Sequence, residues 1–198
     1  MRYVALGDSY TIGTSVRPAE RWPERLADAL GGEEPTLHLV ANLGVNGYTT
    51  ADLIRDELPA LEELAPDFVS VLIGVNDVVQ GVAPAAYEAN VGLILQALLA
   101  RLPATRIVTV AIPDYTVTPV GLDFGDPRRQ HHRIVAANAT MARRSGEGGI
   151  AYVDTFDLSL RAADDRTLVA DDGLHPSAAQ YALWVERIVP VVARLIGR

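Results

Sequence analysis

The chain has 198 residues, of which 49% are hydrophobic and 21% are charged, and its formal net charge is −8. This length and composition predict one globular domain over residues 1–198 and exclude extensive disorder. The acidic balance argues against binding of nucleic acid or of an anionic membrane surface.

Three further absences narrow the class of protein. The chain has no cysteine, which excludes thiolate nucleophiles, thiolate-bound metals and disulfides. No apolar run reaches the roughly 18 residues that a membrane-spanning helix needs. The apolar run 3–6 is too short for a signal peptide, so we expect a cytoplasmic protein, although a mature form with a new initiator Met would look the same.

Short apolar runs alternate with helical periodicity along the chain. In chain order the pattern predicts strand 3–6, helix 18–30, strand 36–43, helix 50–64 with an irregularity at Pro59, strand 67–73, helix 84–102, strand 106–112, helix 127–144, strand 150–153 and helix 177–196. Irregular segments are predicted at 114–126 and 164–176. This alternation favours an α/β fold, flavodoxin-like, with a central five-stranded parallel sheet and a ligand site at the carboxyl ends of the strands.

Ser9 follows the first strand, in the run Gly7-Asp8-Ser9, and is the first candidate catalytic residue. A serine at such a turn can present its hydroxyl to a cleft and its N–H to a developing anion. The alternative is a helix N-cap, a role that serine and aspartate often fill.

A serine nucleophile needs a base, and the chain has four histidines. His38 lies within a predicted strand and is interpreted as a structural or edge residue. His131 and His132 begin a polar helix beside Arg128 and Arg129, which indicates a solvated face or the rim of a cleft. His175 remains, because Asp172, three residues earlier, can bond one imidazole nitrogen and leave the other for Ser9. Asp171 is an alternative partner, and a surface turn that caps the last helix is the alternative for the whole segment.

An acyl transfer also needs donors for the oxyanion. Gly47 allows close backbone approach, and Asn76 offers a side-chain amide, so with the Ser9 N–H they form a candidate oxyanion hole. A turn glycine and a loop cap are the alternatives for Gly47 and Asn76.

Four segments, Gly7-Asp8-Ser9, 42–47, 74–77 and 172–175, resemble in order the four sequence blocks of the SGNH hydrolases, the GDSL-type esterases and lipases. The resemblance covers nearly the whole chain and implies a three-layer α/β/α sandwich and an acyl-enzyme at Ser9, with His175 as base, Asp172 as its orienting acid, and Gly47 and Asn76 in the oxyanion hole. Counting from Asn42 as the family does selects Gly47 over Gly44. Tyr10 replaces the usual leucine of the first block, a change that is also found within the family.

The resemblance implies hydrolysis of a small-molecule ester without a metal or organic cofactor. Small or medium acyl esters and lysophospholipid-like esters are expected, with carbohydrate O-deacetylation or thioester hydrolysis as alternatives. The loop 114–126 is a candidate rim or lid, and the candidate substrate-binding residues are Tyr48, Val78, Val79, Pro113, Tyr115 and Leu174.

Two hypotheses that assign the protein to other functional classes have less support in the sequence. A nucleotide- or flavin-binding module lacks any G-x-G-x-x-G or phosphate-loop motif. A metallohydrolase would have to use Asp8, Asp77, Asp172 and His175, without a second histidine at ligand spacing. The sequence does not indicate an oligomeric state.

Overall fold

The computed structural model describes residues 1–32 and 34–198, which contain a five-stranded parallel sheet in the order β2-β1-β3-β4-β5. The strands are β1 (Arg2–Gly7), β2 (His38–Asn42), β3 (Phe68–Leu72), β4 (Ile107–Val110) and β5 (Ala151–Val153). This is the flavodoxin-like order, and it confirms the predicted α/β fold.

Helices cover both faces of the sheet. They are α1 (Ser9–Ile12), α2 (Trp22–Ala29), α3 (Thr50–Asp52), α4 (Leu58–Leu64), α5 (Val75–Val79), α6 (Pro84–Leu99), α7 (Pro127–Glu147), α8 (Phe156–Leu160) and α9 (Ala178–Ile196). Helix α2 packs against α9, and α6 packs against α7, which completes the three layers. None of the helices in the described part of the chain combines the length and apolar character needed to cross a membrane.

Two predicted helices are interrupted in the structure. The first residues of 18–30 form a 3₁₀ turn, Pro18–Glu20, before α2 begins. Within 50–64, a π-helical turn, Leu53–Glu57, separates α3 from α4. Pro59 lacks an N–H and would clash with the carbonyl four residues earlier in a regular helix, so the wider turn before it is a physical accommodation of the predicted irregularity.

The core lies on both faces of the sheet. Every residue of β3 is buried, as expected for a strand covered by helices on each side. Trp22 of α2 and Trp184 of α9 are fully buried in the same hydrophobic cluster. Polar candidates instead follow strands at their carboxyl ends, where Ser9 comes after β1 and Asn76 after β3.

Candidate active site

Ser9 is placed by a tight turn at the end of β1. Gly7 has φ of 153°, and a Cβ there would lie 2.1 Å from the carbonyl oxygen of Leu72, so the turn requires glycine. Asp8 is the N-cap of α1 and accepts the N–H of Tyr10 at 3.0 Å. Ser9 is therefore the first residue of the helix and not its N-cap, so the Ser9 hydroxyl is not used to cap the helix.

His175 is bonded to Asp172 as the spacing predicts. Asp172 Oδ2 lies 2.6 Å from His175 Nδ1. Its other oxygen accepts the N–H groups of Leu174 and His175, each at 2.9 Å. Burial acts to raise the pKa of Asp172, but hydrogen bonds from Ser15, from these two N–H groups and from the imidazole together lower it to about 2. Asp172 is thus ionised at neutral pH and holds the imidazole by Nδ1.

The loop that carries His175 is fixed at its base. The N–H of Ala170 donates to the carbonyl of His175 at 2.8 Å, and Val169 forms an antiparallel bridge with Pro176. On the other side, the Tyr10 ring lies 5.3 Å from the His175 ring, centroid to centroid. The aromatic residue in the first motif therefore packs directly on the candidate base.

The candidate oxyanion donors lie on two further loops. Gly47 has φ of 83°, a left-handed conformation that favours glycine. Asn76 donates one amide hydrogen to the carbonyl of Tyr48 at 2.9 Å, which orients the amide, and its second amide hydrogen has no acceptor among the described residues. The competing Gly44 packs instead against α1, where a Cβ would lie 2.7 Å from the N atom of Ile12.

These groups share one cavity of about 190 Å³, which Ser9, Gly47, Asn76 and His175 line together. Within the described residues no hydrogen bond joins Ser9 Oγ to His175. Such contacts are often loose in ligand-free sites and tighten when substrate binds. The cavity walls are otherwise mainly apolar, formed by Val75, Val79, Tyr115, Phe124 and Leu174.

Three of the six candidate substrate-binding residues, Val79, Tyr115 and Leu174, line this cavity. The other three lie elsewhere: Pro113 lines a smaller adjoining cavity, Val78 faces a separate cavity near α7, and Tyr48 contributes the carbonyl that orients Asn76. Val78 follows Asn76 by two residues, which turns it about 200° around the helix, away from the face that Asn76 presents.

Sequence reasoning did not single out Phe124, which belongs to the irregular loop 114–126. Its ring packs edge-on against Tyr115 at 5.5 Å, and both rings line the cavity. The N–H of Val120, in the same loop, donates to the carbonyl of Gly173 at 3.0 Å. The loop is thereby tied to the segment that carries His175.

The carboxyls of Asp8 and Glu57 are buried beside the turn that carries Ser9. Burial raises the pKa of Asp8 to about 8, with a further contribution from Asp77. Burial also raises the pKa of Glu57 to about 9, although its carboxyl accepts the N–H of Gly7 at 2.8 Å. Burial thus disfavours the ionised form of both carboxyls, which reduces negative charge near the position where an oxyanion would form.

Asp77 has a structural task. Its carboxylate accepts the N–H and the hydroxyl of Thr50, at 2.9 Å and 2.5 Å, which joins α5 to the start of α3. Over residues 1–32 and 34–198, no three His, Asp or Glu side chains group as a metal site.

The remaining histidines lie outside the cavity. His38 is exposed on the edge strand β2 and bonds the hydroxyl of Thr36, in agreement with its interpretation. His131 differs from the expected solvated face, because its Nδ1 is bonded to the fully buried carboxyl of Asp114. Its ring also packs on Phe156 and His132. Asp114 is too distant along the chain for spacing alone to indicate this pair.

Comparison with known proteins gives three kinds of likeness. The model of the GDSL-like lipase/acylhydrolase family matches residues 5–183. An arylesterase from Vibrio mimicus is 31% identical over 91 residues, which are 45% of this chain and 44% of that protein. The aligned part is thus less than half the length of this curated relative.

Solved structures of esterases share the fold. The psychrotrophic esterase EstA from Pseudoalteromonas sp. is 18% identical, with a TM-score of 0.75 over 100% of this chain and 99% of that one. The acetylxylan esterase Axe2 from Geobacillus stearothermophilus is 21% identical, with a TM-score of 0.74 over 100% of this chain and 94% of that one.

Proposed function

The chain belongs to the GDSL-like lipase/acylhydrolase family, and we propose that it is a serine esterase that hydrolyses carboxylic esters through an acyl-enzyme at Ser9. The observation that carries this proposal is the single cavity lined by Ser9, His175, Gly47 and Asn76. The bond from Asp172 to His175 Nδ1 adds support, because it leaves Nε2 as the proton acceptor.

In the first step, Ser9 Oγ attacks the acyl carbon while His175 Nε2 takes the hydroxyl proton. The electron pair of the carbonyl moves to its oxygen, which the N–H groups of Ser9 and Gly47 and the Asn76 amide stabilise. The electron pair then returns, the bond to the alcohol breaks, and His175 protonates the leaving oxygen. Water repeats the sequence, releases the acid and restores Ser9.

The shape and lining of the cavity favour esters of short or medium acyl chains. A volume of about 190 Å³ accommodates a small acyl group together with part of the alcohol. Tyr115, Phe124 and Leu174 supply apolar surface for the acyl chain, and no buried charge among the lining residues would recognise a charged one.

The proposal is tested with p-nitrophenyl esters of increasing acyl length, extended to lysophospholipid, acyl-CoA and acetylated sugar, for the wild type and Ser9→Ala. We expect turnover to be highest on short or medium chains and to fall on long ones. Ser9→Ala should lose almost all turnover and retain the wild-type melting temperature, because its hydroxyl makes no hydrogen bond within the described residues.

A serine-directed phosphonate gives an independent check of the nucleophile. The adduct should map to Ser9 by peptide mass spectrometry, and labelling should fall strongly in His175→Ala. Absence of turnover on every substrate class would refute the esterase proposal, and an adduct at another serine would refute the assignment to Ser9.

A further inference from the structure

Ser15 lies outside the four motifs, yet its side chain reaches the candidate catalytic pair. Its hydroxyl donates to Asp172 Oδ2 at 2.6 Å. This is the same oxygen that bonds His175 Nδ1, also at 2.6 Å. Among the residues that the structure describes, the two oxygens of Asp172 therefore receive four hydrogen bonds, and the only one from a side chain outside its own loop comes from Ser15.

The backbone of Ser15 is held in a strained conformation. Its φ of 68° lies in the left-handed region, and Ala65 is the only other non-glycine residue with positive φ in the described part of the chain. A non-glycine residue in this region costs free energy, and such strain persists where the surrounding structure requires it. At Ser15 the strained conformation accompanies the bond to Asp172.

The segment around Ser15 also connects the other loops of the site. It follows α1 directly, so it is continuous with Ser9. Its neighbour Thr14 donates its hydroxyl to Asn46 Oδ1 at 2.6 Å, beside Gly47. Two adjacent hydroxyls thus join the element of Ser9 to the loop of Gly47 and to the loop of Asp172.

We infer that Ser15 is a positioning residue that fixes the carboxylate of Asp172, and through it the imidazole of His175, relative to Ser9. Oδ1 of Asp172 is held by N–H groups of its own loop, and Oδ2 accepts the hydroxyl of Ser15 from a second element, so the carboxylate has less freedom to rotate about its χ2 torsion. The imidazole bonded to it is then held in one orientation and one tautomer. The inference rests on the proposed function, because positioning matters for turnover only if His175 acts on Ser9.

Two substitutions separate the hydroxyl from the backbone strain. Ser15→Ala removes the hydroxyl and keeps a side chain at positive φ, whereas Ser15→Gly removes the hydroxyl and the strain together. We expect kcat to fall by about two- to tenfold in both variants, the range for loss of one hydrogen bond. KM should change little, because Ser15 does not line the cavity. The melting temperature of Ser15→Gly should equal or exceed that of the wild type.

Ala65→Gly is the matched control, because it relieves the other positive φ at an exposed position between α4 and the amino end of β3, whereas the candidate site lies at the carboxyl ends of the strands. Its kcat should equal that of the wild type. Wild-type kcat in both Ser15 variants, with Ser9→Ala inactive, would overturn the inference and leave the proposed function intact.

A second readout does not depend on turnover. The proton between His175 Nδ1 and Asp172 Oδ2 should give a downfield proton NMR signal, assigned by its loss in His175→Ala. We expect this signal to shift or broaden in Ser15→Ala and Ser15→Gly and to stay unchanged in Ala65→Gly. An unchanged signal in the Ser15 variants would refute positioning even if the wild type hydrolysed no ester.

Discussion

The described part of the chain contains two aspartate–histidine pairs, and they share one bonding pattern. Asp172 joins Nδ1 of His175 through Oδ2, and Asp114 joins Nδ1 of His131 through Oδ2. Their surroundings are opposite. The side chain of His175 is 13% exposed and that of Asp172 29%, whereas His131 is 38% exposed and Asp114 is fully buried.

The difference lies in what each imidazole faces. His175 lines the cavity that contains Ser9, Gly47 and Asn76, whereas His131 does not line it. In the other pair, Asp114 is the centre of local bonding, because it also accepts the N–H and the hydroxyl of Thr116. A carboxylate–imidazole pair is therefore a reusable structural unit, and the proposed catalytic role depends on the hydroxyl and donors that share its cavity.

The largest expected effect separates the two histidines by activity. His175→Ala should lower kcat/KM by at least about 10⁴-fold, the scale reported for loss of one member of a serine triad. His131→Ala removes the matching imidazole from the other pair and should leave kcat/KM of the folded protein close to wild type. The measurement is steady-state hydrolysis of a p-nitrophenyl ester. Equal losses of kcat/KM in both variants would contradict the assignment of the catalytic role to His175 alone.

The next effect concerns stability, and here the larger loss is expected in the pair formed by Asp114 and His131. Asp114→Ala leaves the N–H of Thr116 and the imidazole of His131 without their buried partner, which should cost about 1–3 kcal/mol of unfolding free energy. Asp172→Ala should cost less, because that carboxylate is partly solvated. Urea unfolding at neutral pH measures both, and a greater loss in Asp172→Ala would contradict this assignment.

Much of the candidate site could be predicted from the sequence because its residues form short local segments. Ser9 comes two residues after the end of β1, as expected for a site at the carboxyl end of a strand. Asp172 lies three residues before His175, so spacing alone indicates the contact between these two side chains. The alternation of strands and helices likewise predicted the sheet. In each case the relevant contact is either local along the chain or follows from a rule of parallel sheets.

The features that were missed depend on contacts distant in sequence. Ser15 and Asp172 are 157 residues apart, and Asp114 and His131 are 17 apart in a loop and a helix. Neither pair has a periodic or motif signal. The role of Glu57 could not be predicted for another reason, since only the packing of the π-helical turn Leu53–Glu57 against β1 reveals that its carboxyl accepts the Gly7 N–H.

The smallest expected effect is a pH dependence that belongs to Asp172. Hydrogen bonds lower the pKa of its carboxyl from 3.8 to about 2 in the folded chain, against the raising effect of burial. The ionised carboxylate therefore adds stability above the unfolded value, and this contribution is lost as pH falls from about 4 towards 2. Asp172→Asn lacks this contribution, so the melting temperatures of wild type and variant should differ most near pH 5 and converge towards pH 2.

Asp171→Asn is the control, because it removes an equal charge without removing the bonds to His175, and its melting temperature should follow that of the wild type across this range. A difference in melting temperature between wild type and Asp172→Asn that stays constant with pH would show that the carboxylate gains no stability from its partners.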